Sequence, residues 1–136
     1  MSGEGLIAEP RAVHPTAGHA RLKELMHRGT EFLGCDVAIM GGAMSWVSER
    51  HLVSAISNAG GFGVIACGAM GPELLDTEIA ETKVRTTRPF GVNLITMHPD
   101  LMELIAVCHR HQVGHIVLAG GLPPGGRPPA STTWVT

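Results

Sequence analysis

Apolar positions along the chain alternate between two rhythms. Short apolar runs bounded by glycine, proline or polar residues occur at Val37–Met40, Gly63–Ala66, "PFGVNLITM" and "HIVLA". Each predicts a strand, and Gly63–Ala66, bounded by glycine, reads as one buried on both faces, with a buried helical turn as the alternative that periodicity leaves open. Between the runs, apolar residues return every three or four positions. Leu52, Val53, Ile56 and Ala59 form one stripe, predicting a helix capped by Ser48, with Glu49 in its first turn and Gly60–Gly61 as its end. Pro72 opens a second helix reaching Lys83, with Leu74, Leu75 and Ile79 inward and Glu73, Asp76 and Glu81 outward. Pro99 and Asp100 open a third, with Leu101, Leu104, Ile105 and Cys108 on one side. Ahead of the first strand, Leu22, Leu25 and Met26 predict a short amphipathic helix over Arg21–His27 that Gly29 stops.

Strand starts near Val37, Gly63, Phe90 and His115 recur about every 25 residues with a helix between each pair, the pattern of right-handed βαβ units. The class is therefore α/β with four parallel strands. Two architectures share it: an open doubly wound sheet of the flavodoxin-like kind, or an eight-stranded barrel of roughly 250 residues, of which this chain would be about half. Residues 1–20 lack periodicity and read as a flexible amino-terminal arm. Residues 21–124 carry the repeats, and 125–136 read as an irregular tail, since Pro123, Pro124, Pro128 and Pro129 oppose any helix there.

Composition narrows the function classes. The 136 residues carry 10 Lys and Arg against 12 Asp and Glu, without a basic run, and have no Tyr, three Phe and two Trp. That is no footprint for a nucleic acid or an anionic membrane. No apolar run approaches the ~20 residues of a membrane span. Cys35, Cys67 and Cys108 are widely spaced and odd in number, which fits a reducing, cytoplasmic setting.

Candidate chemistry gathers in the loops after the strands, "GGAMSWV", "CGAMGP", "TMHP" and "GGLPPGG". In parallel βα proteins these share one face, where glycine admits a ligand to the backbone and methionine can lie against a flat ring. Glycine as plain turn former and methionine as gap filler is the alternative. "GGFGVIA" mimics a dinucleotide fingerprint but lies between a helix and a strand, the reverse of the required order. His109, His111 and His115 cluster in sequence, yet a helix sends the first two to different sides, which argues against a metal site. Cys67 and Cys108 read as small buried residues, and Asp76, Glu78 and Glu81 as a solvated helix face. His98 follows a strand directly, so it is either at the ligand face or at a helix entry.

Three separated stretches, "GCDVAIMGGAMSWVSERHLVSAISNAGGFGVIACG", "RPFGVNLITMHP" and "VLAGGLPP", together resemble the nitronate monooxygenase family, formerly 2-nitropropane dioxygenases, and the related flavin-dependent enoyl-acyl-carrier-protein reductases. The likeness spans Leu22–Pro124. It implies the first half of a TIM-like barrel that binds FMN across the carboxyl ends of its strands, and the oxidation of a small alkyl nitronate by O₂ to a carbonyl compound and nitrite. It also implies that Gly42, Ala43, Met44 and Ser45 touch the flavin, although the family's Gln before the glycines is missing here. Asn93 and Ile95 would approach the flavin from the third strand. The family's catalytic histidine and phosphate loops belong downstream of "AGGLPP", so the resemblance implies a chain truncated or altered after about Gly126, with no catalytic residue of its own. An enoyl reductase fragment, or a non-catalytic fragment that associates with itself through exposed sheet edges, are the alternatives.

Overall fold

The computed structural model describes residues 17–121 and 133–135. In chain order the elements are α1 (Ala17–Leu33), β1 (Met40–Gly41), α2 (Arg50–Asn58), β2 (Phe62–Ala66), α3 (Pro72–Arg85), β3 (Phe90–Ile95), α4 (Leu101–Arg110), β4 (His115–Ala119) and β5 (Thr133–Val135). All pairs are parallel and the sheet order is β1-β2-β3-β4-β5. A doubly wound sheet reverses its strand order at a switch point, whereas a barrel steps always in one direction. Residues of α2, α3 and α4 join Ile65, Val92, Leu94, Ile116 and Leu118 in one cluster, so these helices cover one face of the sheet. The α/β fold is therefore TIM-barrel-like, and the flavodoxin-like alternative is excluded.

On the opposite face, among the described residues, the end of α1 and the turn after it provide the cover, with Leu33 and Cys35 packed against Phe62 and Val64. His115 is wedged edge-on between Phe32 and Phe62, and its Nε2 lies 2.8 Å from the Phe32 carbonyl. This plug closes the amino-terminal end of the sheet. Toward the carboxyl ends the face opens, and Asn93, Ile95, Val117 and Ala119 are half-buried.

Several local expectations are corrected. α1 runs through Gly29, because a Cβ there would lie 2.7 Å from that of Ala38 and its absence lets the helix approach the segment entering β1. The helix ends instead at Gly34, whose φ of +68° and N–H bond to the Thr30 carbonyl make the expected left-handed stop. Ala17–Ala20 are helical rather than part of an arm. Leu22 and Leu25 are exposed, not inward. β1 is shorter than Val37–Met40 implied, having a single neighbour to pair with, and β3 ends at Ile95 as Thr96 N–H bonds the Ala119 carbonyl. β5 falls inside the stretch read as an irregular tail; the other tail residues, with 1–16, lie outside the described residues.

In α2 the buried positions are Val53, Ser54 and Ser57, with Leu52 and Ile56 half-buried and Ala59 exposed. Serines escaped a search for apolar residues, yet Ser57 Oγ donates to the Pro89 carbonyl at 3.0 Å and accepts the Gly63 N–H at 3.2 Å. Leu74 of α3 is exposed, and that helix continues to Arg85.

The largest departure is Glu78, which is 2% exposed rather than solvated. Ser48 does not cap α2. Glu49 occupies the N-cap without a side-chain bond, and the Glu78 carboxylate supplies it from α3. Its Oε2 accepts the Arg50 N–H at 2.9 Å while Oε1 accepts Arg50 Nε at 3.0 Å and a terminal guanidinium nitrogen. Charge on a buried carboxylate is tolerated only with such partners. Glu78→Gln should therefore lower the urea midpoint clearly, while Glu73→Gln, exposed on the same helix, should change stability by about 1 kcal/mol or less; equal effects would contradict this account.

Candidate functional site

Register brings four strand ends to one side of the sheet: Gly41 pairs with Gly63, Ala66 with Asn93, and Ile95 with Ala119. The loops that follow meet there. A Cβ built on Gly68, after β2, would lie 3.4 Å from Ser45 Oγ and 3.6 Å from Ile95 Cγ1. One built on Gly120, after β4, would lie 3.5 Å from Ile95 Cγ2. Ser45 and Ile95 thus flank Gly68, and Ile95 also stands beside Gly120.

The first loop is held from below. Ser48, fully buried, accepts the Met44 N–H on its Oγ at 3.0 Å, its own N–H bonds the Met44 carbonyl at 2.8 Å, and its carbonyl accepts from Ala66 N–H. Sequence reading gave Ser48 a helix cap, whereas it clamps this loop to β2. Met44 and Trp46 stand exposed, and Trp46 holds φ at +62°, an unfavourable conformation for a residue with a Cβ. Ser45, Trp46, Ala66, Ala69 and Met70 close around a crevice too narrow for a water molecule.

Glycines in these loops have different causes. At Gly42, with φ at +127°, a Cβ would lie 2.4 Å from the Val64 carbonyl oxygen, and at Gly41 2.4 Å from Ile56 Cδ1. The backbone obstacle and the left-handed φ demand glycine at Gly42, whereas at Gly41 the obstacle is the movable end of the Ile56 side chain. Around Gly68 a methyl group would meet only ordinary contacts, so neither space nor backbone requires glycine there.

Asn93 and Ile95 occupy alternate positions of β3 and so share the open face. The Asn93 carbonyl accepts the Cys67 N–H at 3.0 Å, which ties the second loop to the third strand. At the end of β3, Thr96 is 5% exposed, and its Oγ1 has no hydrogen-bond partner among the described residues. Nothing in the sequence pattern distinguished this threonine. His98 serves helix entry, its Nδ1 accepting the Asp100 N–H at 3.1 Å.

The clustered histidines face different partners. His111 Nε2 lies 3.0 Å from Asp76 Oδ1, and His115 turns to Phe32. Arg110, with His111 beside it, holds the Asp76 carboxyl below its ordinary range through hydrogen bonds. Among the described residues no group of three His, Cys, Asp or Glu could hold a metal ion, and no helix is long and apolar enough to cross a membrane. A groove of about 600 Å³ lies between α3 and α4, away from the strand tips.

A one-directional parallel sheet with helices on one face and glycine-rich loops gathered at its carboxyl ends defines a (β/α)-barrel type of enzyme segment. The nitronate monooxygenase family model matches residues 27–119, and the chain belongs to that family. It is 40% identical over 84 residues to (3aS,4S,5R,7aS)-5-hydroxy-7a-methyl-1-oxo-octahydro-1H-indene-4-carboxyl-CoA dehydrogenase of Mycobacterium tuberculosis, covering 62% of this chain and 24% of that one. To nitronate monooxygenase of Paraburkholderia phytofirmans it is 37% identical over 67 residues, 49% of this chain and 18% of that one. The structure of FabK from Thermotoga maritima superposes with a TM-score of 0.67 at 37% identity, covering 69% of this chain and 30% of the other. The chain thus spans about a quarter or less of these curated relatives' length.

Burial sets the behaviour of the cysteines. It pushes the Cys67 thiol up to about 11 and the Cys108 thiol up to about 12, from an ordinary 9.0. Both are protonated at neutral pH, and Cys35 is raised as well. Cys67 and Cys108 should resist a thiol reagent at pH 8 until the chain unfolds; immediate labelling of both would contradict their placement. Because their folded values exceed the ordinary one, stability should hold below pH 9.0 and decline as pH rises toward about 11. For the loops, Gly42→Ala is expected to cost about 1–3 kcal/mol in a urea titration, and Gly68→Ala less than about 1 kcal/mol.

Proposed function

We propose that the chain is the FMN-binding, amino-terminal part of a nitronate monooxygenase, acting with the rest of its barrel on a small alkyl nitronate and O₂. The observation that carries this reading is the family match over residues 27–119, which runs from α1 to the end of β4 and contains three of the four converging loops. Main-chain groups of Gly42, Ala43, Met44 and Ser45 would border the ring system, with the exposed Met44 thioether against its plane. Asn93 offers an amide donor and a carbonyl acceptor from the open face, and Ile95 an apolar surface beside Gly68. The fit is supported by Gly68, where a methyl group would meet only ordinary contacts, and by the Thr96 hydroxyl at the same end of the sheet, which has no partner among the described residues. A bound flavin supplies the electron transfer; the chain's residues bind it, orient it and shield one side from water.

A second reading, redox chemistry on an acyl thioester, is favoured by the 40% identity to a carboxyl-CoA dehydrogenase and by the likeness to FabK. It uses the same flavin platform. Titrating FMN into the chain should quench or shift flavin fluorescence at one-to-one stoichiometry, and Asn93→Ala should weaken binding about tenfold, the loss of one or two hydrogen bonds. No binding would overturn the flavin assignment. In the complete barrel, nitrite release from an alkyl nitronate under air is the expected activity; preference for a crotonyl thioester with NADH would favour the second reading.

A further inference from the structure

Thr96 follows the last residue of β3, where the third and fourth loops meet. Its backbone is satisfied, since its N–H donates to the Ala119 carbonyl at 2.8 Å, but its hydroxyl is buried without a partner among the described residues. Buried hydroxyls in native proteins almost always have one, and an orphan marks a place where another group completes the bond. Gly120 and Gly121, at φ +93° and +133°, lie against it: Cβ atoms built on them would come within 3.6 and 3.8 Å of Thr96 Oγ1. Backbone without side chains therefore borders the hydroxyl on that side. Ile95, the preceding residue, reaches both Gly68 and Gly120, so the hydroxyl belongs to the same gathering of loops as Ser45.

A hydroxyl donates one hydrogen bond and accepts others, and it carries no charge. A phosphate dianion calls for several donors or a cation. The carbonyl–imide edge of a fused ring system, with alternating acceptors and a donor, matches one neutral hydroxyl better. We infer that Thr96 is a cofactor-binding residue whose Oγ1 hydrogen-bonds the carbonyl–imide edge of the isoalloxazine ring. This rests on the flavin reading above and adds to it a polar contact from beyond the end of β3.

FMN and riboflavin titrated into the full chain, with Thr96→Val and Thr96→Ser, test it. The valine variant keeps the shape and lacks the hydroxyl; it should bind both flavins about tenfold more weakly, while the serine variant stays within about threefold of the parent. Without flavin, Thr96→Val should melt no lower than the parent, because the hydroxyl has no bond to lose among the described residues. Parent-like flavin binding by Thr96→Val, with Asn93→Ala still weakened, would overturn the Thr96 assignment and leave the flavin site standing. A loss seen with FMN but not riboflavin would move the contact to the phosphate and overturn the ring assignment. A lowered melting point in the flavin-free valine variant would mean that the hydroxyl is bonded within the chain, and would also overturn it. If the parent chain binds neither flavin, both readings fall.

Discussion

Glu78 joins the second repeat of this fold to the first, and the start of α2 depends on that junction. α2 begins without a side-chain cap of its own, so the orphan N–H of Arg50 takes an oxygen from α3 while the Arg50 guanidinium takes the other. Just before this start lies Ser48, which holds Met44 by a side-chain bond and joins β2 through the Ala66 N–H. Loop clamp and helix start are thus two residues apart along the chain, each held by its own hydrogen bonds. Removing the carboxylate would leave the helix end without a partner and the Arg50 guanidinium with Glu81 alone, at 3.9 Å.

Strand order then decides where the ligand face lies. Since each unit is added on the same side, α2, α3 and α4 all fall on one face, and among the described residues the other is covered by the α1 plug near its amino-terminal end. Parallel sheets ordinarily bury both faces. Here the half-buried row of Asn93, Ile95, Val117 and Ala119 marks the open part, directly below the converging loops. The close approach of Gly63 to Val53, where a Cβ would stand 2.4 Å from a carbonyl oxygen, shows how tightly the covered face is packed by comparison.

Relatives bearing different names share these repeats. A carboxyl-CoA dehydrogenase and a nitronate monooxygenase each match part of this chain, over a quarter or less of their own length. Among the described residues the strand tips carry glycines, Ser45, Asn93 and Thr96, while His98 is engaged at the start of α4.

Periodicity alone determined the alternation of strands and helices, the parallel class and the burial of β2 and of Leu75, Ile79, Leu104 and Cys108, because local apolar spacing reflects one element's contact with one core. The repeated motifs, read with the family resemblance, singled out Gly42–Ser45, Asn93 and Ile95 as expected flavin contacts. Only the tertiary structure decided that the sheet steps one way, that Gly29 lies within a helix, that Glu78 is buried, that Ser48 clamps rather than caps, and that Thr96 carries a hydroxyl unmatched among the described residues. Each of those depends on a partner from a distant segment, and a polar residue's fate turns on whether such a partner reaches it, which spacing along the chain does not encode.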